Sequence, residues 1–328
     1  MKILVTGSLG LIGSAVVRHY LNEACEVIGV DNDMRKHFFG VEASVLKNRI
    51  DDRNYTHHGV DISKIEPIIE QMKPDVIIHA AAQPSHDWAA TNPLLDFGIN
   101  AYSTLMLLEM TRKHVPEAVF VYLSTNKVYG DTPNFLPLTE EETRYECPSL
   151  PDGIDETMSV DNTQHSLFGC SKLAGDLYVQ EYARYFGMKT GLFRCGCITG
   201  SAHAGAEMHG FLSYIVRCKK QNKPYKVYGY DGKQVRDQMH AKDLARAIDC
   251  FVRNPKPGSV YNMGGGRNSN VSVLEALNWL KIKDWEYIHK ARLADHKWYI
   301  SDTRKFERDY PEWKREYNLW SIFDDLQN

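Results

Sequence analysis

The chain has 328 residues, of which 43% are hydrophobic and 25% charged, and this length and composition allow a large buried core divided into two lobes around one cleft. Its formal net charge of -3 provides no overall positive field, so the sequence disfavours nucleic acid as a partner and favours a small metabolite. Seven scattered cysteines lack the paired spacing of a zinc site or a disulfide framework, which predicts no metal site and a reducing, cytoplasmic environment.

Short apolar runs alternate with helical stretches from the start of the chain to Arg194. Strands are predicted at KILVT, EVIGV, DVIIHA, AVFVYLS and TGLFR. Continuous apolar runs are typical of strands buried on both faces, and connections of this length normally carry helices, so the pattern predicts a doubly wound α/β fold around a parallel sheet. The opening MKILVTGSLG enters a strand directly, and no segment is long and apolar enough for a membrane span, so we expect neither secretion nor membrane insertion.

Beyond Arg194 the pattern changes to loops that contain glycine, histidine and tyrosine. Helices are predicted near residues 211–220 and 272–280. We therefore expect residues 1–194, completed by roughly residues 237–262, to form the first lobe. Residues 195–328 are expected to form a smaller α/β lobe that holds the substrate.

The first predicted strand runs directly into TGSLGLIG, which has the glycine spacing of a dinucleotide-binding loop at Gly7, Gly10 and Gly13. Glycine allows a tight turn and the close approach of a pyrophosphate, and the helix that follows offers unpaired N–H groups to this anion. Leu11 and Ile12 lie between these glycines and belong to the predicted cofactor site.

The adenosine end of the cofactor is predicted at Asp31, where the second strand ends. A carboxylate at this position accepts hydrogen bonds from the ribose hydroxyls and repels a 2′-phosphate, so NAD is favoured over NADP. Arg35 and Lys36 follow closely and leave NADP open as an alternative. Further cofactor contacts are predicted after the second, third and fourth strands, at Asn32, Asp61, Ile62, Ala80, Ala81 and Ala82.

Several motifs carry a family resemblance that spans nearly the whole chain. The spaced glycines, HAAAQ, STNKVYGD and SLFGCSK resemble the extended short-chain dehydrogenase/reductase family, and ETRY, GIDE and GKQVRD are similar to segments of its CDP-paratose 2-epimerase group. The resemblance implies a Rossmann-type lobe that binds NAD, with Asn100 at the cofactor site, and a C-terminal lobe that binds a nucleoside-diphosphate sugar, a CDP-sugar being favoured. It also implies a homo-oligomer, a dimer or tetramer, formed through helices within residues 93–114 and 165–186.

The same resemblance places the catalytic centre around Thr125 and Lys172. Thr125 would contact the reacting sugar hydroxyl, beside Asn126 in the substrate site, and Lys172 would hold the nicotinamide ribose. In the family a tyrosine stands four residues before this lysine, on the same face of the helix, and removes the proton. That position is Phe168 here, and a phenyl ring cannot titrate.

Phe168 leaves three explanations open. His86, in a loop after the fourth strand, is the leading alternative base, because an imidazole titrates close to neutral pH. The phenylalanine could instead be an engineered replacement of a tyrosine, or the protein could bind NAD and a sugar nucleotide without efficient turnover. Weaker candidates for the base are Tyr102, His165, Cys170, Cys195, His203 and His209.

The substrate end is predicted from charged residues. Arg236 and Arg292 would bind the diphosphate, because a guanidinium fork binds oxyanions bidentately. Sugar-nucleotide dehydratases of the family carry Asp-Glu directly after the threonine, whereas this chain has Asn126 and Lys127, so water elimination is disfavoured. The sequence thus favours an NAD-dependent nucleotide-sugar epimerase. Another epimerase, a net oxidoreductase and a non-catalytic binding protein are the alternatives.

Overall fold

The computed structural model describes residues 1–203, 205, 207, 209–289 and 295–328. In this part of the chain, strands and helices alternate as far as residue 195, and shorter strands dominate beyond it. The strands are β1 Lys2–Thr6, β2 Glu26–Val30, β3 Tyr55–His58, β4 Val76–His79, β5 Val119–Thr125, β6 Thr139–Glu140, β7 Tyr145–Glu146, β8 Thr190–Cys195, β9 Cys197–Thr199, β10 Tyr225–Tyr228, β11 Val235–His240, β12 Ser259–Met263, β13 Asn270–Ser272, β14 Trp285–Ile288 and β15 Trp298–Tyr299.

Most of the longer helices follow strands of the central sheet and cover its two faces. The α-helices are α1 Leu11–Asn22, α2 Arg35–Phe39, α3 Glu66–Met72, α4 His86–Thr91, α5 Pro93–Phe97, α6 Ser103–His114, α7 Leu167–Phe186, α8 Phe211–Lys220, α9 Ala241–Arg253, α10 Val273–Trp279, α11 Arg304–Asp309 and α12 Leu319–Gln327. Among the described residues, none of these helices is long and apolar enough to span a membrane.

The central sheet has seven parallel strands in the order β12-β8-β5-β4-β1-β2-β3. Thr6 pairs with Val30 on one side and with His79 on the other, so β1, β2 and β4 end level with one another. The strand order reverses beside β1, and ligands of such sheets bind beyond the carboxyl ends of the strands at this point. The predicted doubly wound, Rossmann-type fold is confirmed.

Each face of the sheet is covered by a separate apolar cluster. Val16 of α1 and Phe251 of α9 belong to the cluster on one face, and Leu107 of α6 and Val179 of α7 belong to the cluster on the other. Their side chains are fully buried. Because helices pack on both faces, the carboxyl edge of the sheet is left to bind ligands.

The edge strand β12 comes from late in the chain and lies beside β8, with Val260 opposite Leu192. The sheet therefore draws on both halves of the chain, and the division into lobes at residue 194 stays a prediction. In the C-terminal part, β11 pairs with β9, β13 and β15 in a smaller sheet. The helices predicted near residues 211–220 and 272–280 are present as α8 and α10.

Candidate active site

The turn between β1 and α1 requires glycine at two of its three predicted positions. Gly7 has a φ of +67°, and a Cβ added there would lie 2.7 Å from the backbone nitrogen of Ala81. A Cβ on Gly13 would lie 2.0 Å from the carbonyl oxygen of Gly7. At Gly10, which begins α1 without a side-chain cap, the nearest contact would be 3.3 Å. The first N–H groups of α1 are therefore available to an anion, and the turn fits the pyrophosphate of a dinucleotide.

Asp31 lies at the end of β2 and fixes the same turn. Its Oδ2 accepts a hydrogen bond from the Leu9 amide at 3.0 Å and its Oδ1 accepts one from the Asp33 amide at 2.8 Å. Burial raises the pKa of this carboxyl, although both amides oppose the rise. Each carboxylate oxygen has a further lone pair, so Asp31 can still accept hydrogen bonds from two ribose hydroxyls.

The two basic residues after Asp31 are placed differently. Arg35 lines the cofactor cleft, where burial lowers its pKa to about 10, and its guanidinium lies 3.3 Å from Nδ1 of His209. Lys36 is instead half exposed and pairs with Asp33 at 3.3 Å. Arg35 is therefore the residue near Asp31 that a 2′-phosphate could reach, and the sequence did not distinguish it from Lys36.

Thirteen predicted cofactor residues line one cleft along the carboxyl edge of the sheet: Gly7, Gly10, Leu11, Ile12, Gly13, Asp31, Asn32, Asp61, Ile62, Ala80, Ala81, Ala82 and Lys172.

Asn100 is placed elsewhere. Its buried amide nitrogen donates to the Gln83 carbonyl at 3.0 Å, to Asp96 at 3.0 Å and to Ser171 at 3.1 Å. Asn100 therefore connects the loop after β4 to α7 and is not among the residues that line the cleft, and its cofactor contact stays a prediction.

A second cavity opens beside this cleft, and the two meet at Thr125 and Phe168. His86, Asn126 and Arg236 line the second cavity. Further residues shared by both cavities are Pro84, Gly196, Ile198, His203 and His209. The sequence did not single out Pro84, Gly196 and Ile198 as site residues. Gly196 and Ile198 follow β8 at the carboxyl edge of the sheet, which is the signal that could have found them.

Lys172 lies on α7, one helical turn after Phe168. Its ammonium donates a hydrogen bond to the Leu123 carbonyl at 2.6 Å and lies 4.2 Å from the centre of the Tyr122 ring. Burial lowers the pKa of Lys172 to about 8. Lys172 is therefore mostly protonated at neutral pH and titrates just above it.

Thr125 is the last residue of β5, at the junction of the two cavities. Its hydroxyl accepts a hydrogen bond from the Lys127 amide at 3.3 Å and donates one to the Asn126 side chain at 3.3 Å. Asn126 is buried, and the Lys127 ammonium lies 3.7 Å from Asp295. An amide and an ammonium thus occupy the two positions at which the dehydratases carry acids.

His86 is the first residue of α4, and its ring lies edge-on to Phe168 with the ring centres 4.9 Å apart. Its Nδ1 lies 2.8 Å from the hydroxyl oxygen of Ser166, the residue that caps α7. The structure thus brings His86 beside Phe168, the residue at the position where the resemblance expects a tyrosine. Ser166 was not predicted as a site residue, although a serine before an apolar helix is a recognisable cap signal.

Five of the six weaker candidates for the base are less suited to it. Burial raises the pKa of Cys195 to about 12 and lowers that of His203 to about 3, so both stay neutral near pH 7. His165 is bonded through Nε2 to the Val160 carbonyl at 2.9 Å. Tyr102 and Cys170 are exposed and, like His165, do not appear among the residues that line either cavity. His209 lies at the junction beside Arg35.

Arg236 lies on β11 with 7% of its surface exposed. Its guanidinium pairs with Asp295 and donates to the Val235 carbonyl at 2.7 Å. Lys127 approaches the same Asp295 oxygen, so two cations meet one carboxylate beside the second cavity. This is a suitable environment for a diphosphate. Arg292, the other predicted phosphate ligand, lies outside the described residues.

Arg194 has a structural role at the end of β8. Its guanidinium donates to both carboxylate oxygens of Asp176 on α7, at 3.0 and 2.9 Å, and to the hydroxyl of Tyr129 at 3.1 Å. All three side chains are buried. The arrangement fixes α7, and with it Phe168 and Lys172, against the sheet.

Known proteins resemble this chain along most of its length. CDP-paratose 2-epimerase of Salmonella typhi is 32% identical over 320 residues, which cover 93% of this chain and 92% of that protein. A dTDP-glucose 4,6-dehydratase of Salmonella typhimurium is 30% identical over 292 residues, 84% of this chain and 75% of that protein. The crystal structure of UDP-glucuronic acid 4-epimerase from Bacillus cereus, in complex with UDP-glucuronic acid and NAD, has the same fold, with a TM-score of 0.79 at 21% identity and coverage of 100% of this chain and 98% of that chain.

The model of the NAD dependent epimerase/dehydratase family matches residues 3–264. The matched span includes the glycine turn, Asp31, Thr125 and Lys172. NAD is the cofactor of this family, in agreement with the prediction from Asp31. The chain therefore belongs to the NAD dependent epimerase/dehydratase family, whose members are enzymes of nucleotide-sugar chemistry.

Proposed function

We propose that this protein is an NAD-dependent epimerase that inverts one ring carbon of a nucleoside-diphosphate sugar, with a CDP-sugar as the favoured substrate. The observation that carries the proposal is the junction of two cavities at Thr125 and Phe168. Hydride transfer requires the nicotinamide and sugar rings to meet at one point, and the cofactor cleft opens at this point into the cavity that Arg236 lines. The similarity to CDP-paratose 2-epimerase, which extends over 93% of the chain, supports CDP as the nucleotide.

Epimerisation is favoured over dehydration by the side chains after Thr125. Water elimination needs an acid to protonate the departing hydroxyl and a base to deprotonate the neighbouring carbon. Asn126 is an amide, and Lys127 is an ammonium close to Asp295. Neither residue supplies the carboxyl pair of the dehydratases, whereas inversion of a carbinol centre requires only the proton of its own hydroxyl to move.

When bound, NAD would supply a hydride acceptor for the sugar carbon and then a hydride donor to its opposite face, with no net redox change. The Thr125 hydroxyl can position the reacting hydroxyl, because it both donates and accepts hydrogen bonds. Lys172 is placed to orient the ribose from the cofactor cleft. His86 holds the proton removed from the sugar hydroxyl during oxidation and returns it during reduction.

The cluster of Lys127, Arg236 and Asp295 supports a site for the diphosphate. Asp295 pairs with Arg236 and approaches Lys127, so both cations are held beside the second cavity. A bound diphosphate would compete with Asp295 for these cations, and Arg236 would contribute the bidentate contact.

We also propose that the chain self-associates through α5, α6 and α7. Apolar side chains on α5 and α7 face solvent, among them Leu94 with 90% and Tyr185 with 79% of their surface exposed. Exposed apolar surface of this kind is typical of an interface. Light scattering after gel filtration tests the proposal: Tyr185→Lys should lower the measured mass to that of one chain, and a wild-type protein that elutes as a monomer at micromolar concentration would contradict it.

The enzymatic proposal is tested with purified protein, NAD and CDP-paratose, with the configuration at C2 followed by proton NMR. Inversion without accumulation of NADH at 340 nm is expected. Failure to invert at high enzyme concentration excludes that substrate, steady NADH release identifies an oxidoreductase, and loss of water identifies a dehydratase. Binding of both ligands without turnover of any nucleotide sugar would identify a non-catalytic binding protein, the alternative that Phe168 motivates.

A further inference from the structure

Two residues that are 80 positions apart in the chain meet at the wall of the second cavity. Nδ1 of His86 lies 2.8 Å from the hydroxyl oxygen of Ser166. His86 is the first residue of α4, and Ser166 is the N-terminal capping residue of α7. Phe168 packs edge-on against the imidazole, with the ring centres 4.9 Å apart. The imidazole is thus in contact with two residues at the start of α7.

The position of Ser166 is itself fixed. The side chain has 7% of its surface exposed, and its oxygen accepts the Gly169 amide at 3.0 Å as the cap of α7. A hydroxyl oxygen has two lone pairs, so the cap occupies one and leaves the other for a second donor. Gly169 in turn packs closely against the backbone at Lys127, because a Cβ on Gly169 would lie 2.9 Å from the Lys127 carbonyl oxygen. The acceptor that faces His86 is therefore part of a rigid turn.

The proton on the imidazole decides what His86 can do. In a neutral imidazole one nitrogen carries hydrogen and the other accepts, and the hydrogen bond made by one determines the state of the other. If Nδ1–H donates to Ser166, the neutral ring carries no hydrogen on Nε2, which can then accept a proton. If the Ser166 hydroxyl donates to Nδ1, Nε2 carries the hydrogen and cannot act as a base.

We propose that Ser166 is a positioning residue of the reaction: its oxygen accepts the Nδ1–H of His86 and thereby keeps Nε2 as the proton acceptor at the second cavity. The inference deepens the proposed epimerase function and rests on it. During oxidation of the sugar, the C–H electron pair leaves as hydride to NAD⁺ and the hydroxyl proton passes to Nε2 of His86. During reduction both return, so atoms and charge balance over the cycle.

Two substitutions separate the positioning role from the capping role. Ser166→Gly removes the hydroxyl but keeps an acceptable helix cap, since glycine caps helices almost as well as serine. Ser166→Thr keeps both the cap and the hydroxyl. Asn318→Gly is the matched control, because Asn318 caps α12 and is not among the residues that line either cavity.

We expect Ser166→Gly to lower kcat by at least about 10-fold, and by no more than the roughly 10²- to 10⁴-fold loss that removal of the base itself would cause. KM for the sugar nucleotide should stay within about twofold, Ser166→Thr should restore most of kcat, and Asn318→Gly should behave as wild type. Unchanged kcat in folded Ser166→Gly, or no rescue by threonine, would overturn the inference.

A second measurement does not depend on turnover. Long-range proton–nitrogen NMR of the intact protein with ¹⁵N-labelled histidine reports which nitrogen of His86 carries hydrogen. We expect Nδ1–H in the wild type and a change of tautomer in Ser166→Gly. If the wild-type His86 carries its hydrogen on Nε2, the positioning role of Ser166 is refuted even in an active enzyme. If it carries the hydrogen on Nδ1 but the protein turns over no nucleotide sugar, the proposed function is refuted and the contact with Ser166 remains valid.

Discussion

Replacing His86 by alanine removes the side chain to which we assign the proton transfer. General acid–base catalysis contributes about 10²- to 10⁴-fold to a rate, and each factor of ten corresponds to about 1.4 kcal/mol, so His86→Ala should raise the activation barrier by about 3–6 kcal/mol. Because His86 lines the second cavity and does not line the cofactor cleft, the affinity for NAD should not change.

Phe168→Tyr provides the second arm of a double-mutant cycle. The Phe168 ring lines both cavities, and Lys172 stands one turn further along α7, where a protonated lysine lowers the pKa of a phenol. The tyrosine should therefore restore a base in the His86→Ala background and recover much of the lost kcat. In the wild-type background it should change kcat by less than about tenfold, because His86 already moves the proton. Two groups that serve one function give such non-additive effects.

The assay is the rate of inversion of the sugar nucleotide by NMR, measured at saturating NAD for the four proteins of the cycle. His165→Ala is the control, because this neighbouring histidine is bonded to the Val160 carbonyl and is not among the residues that line either cavity. A His86→Ala protein that retains the wild-type rate would refute the assignment of the base. A large gain from Phe168→Tyr alone would show instead that the natural site lacks a base.

Three further predictions concern cofactor and stability. Asp31→Asn should reduce the preference for NAD over NADP by at least about tenfold in titrations with each cofactor, because the carboxylate no longer repels a 2′-phosphate. Burial lowers the pKa of Lys172 to about 8, so kcat/KM should decline above about pH 8 in a pH–rate profile. In the unfolded chain Lys172 keeps its proton up to about pH 10.4. Between about pH 8 and pH 10.4 the unfolded state therefore binds more protons than the folded state, and the contribution of Lys172 to the free energy of unfolding should rise with pH. Arg194→Ala should lower the free energy of unfolding by about 3–5 kcal/mol in denaturant titrations, because it leaves Asp176 buried without its partner, whereas Arg184→Ala, at an exposed pair, should cost less than about 1 kcal/mol.

The sequence alone determined the elements that depend on neighbouring residues. The apolar strands, the glycine turn and Asp31 at the end of β2 are local patterns, because backbone sterics and burial restrict which residues can occupy such positions. Helices α8 and α10 were likewise predicted from local signals. The family resemblance added Thr125 and Lys172, whose positions in the chain could be read from their motifs.

The tertiary structure decided how distant segments meet. It alone placed β12 at the edge of the sheet, connected Asn100 to α7 and brought Ser166 within 2.8 Å of His86, 80 residues away. A sequence shows that a serine can cap a helix, but not which second donor will face its remaining lone pair. That depends on the packing of α4 against α7, because the direction of a side chain follows from the placement of the whole helix. The identity of Phe168 was therefore evident from the sequence, whereas the fold determined that His86 lies beside it.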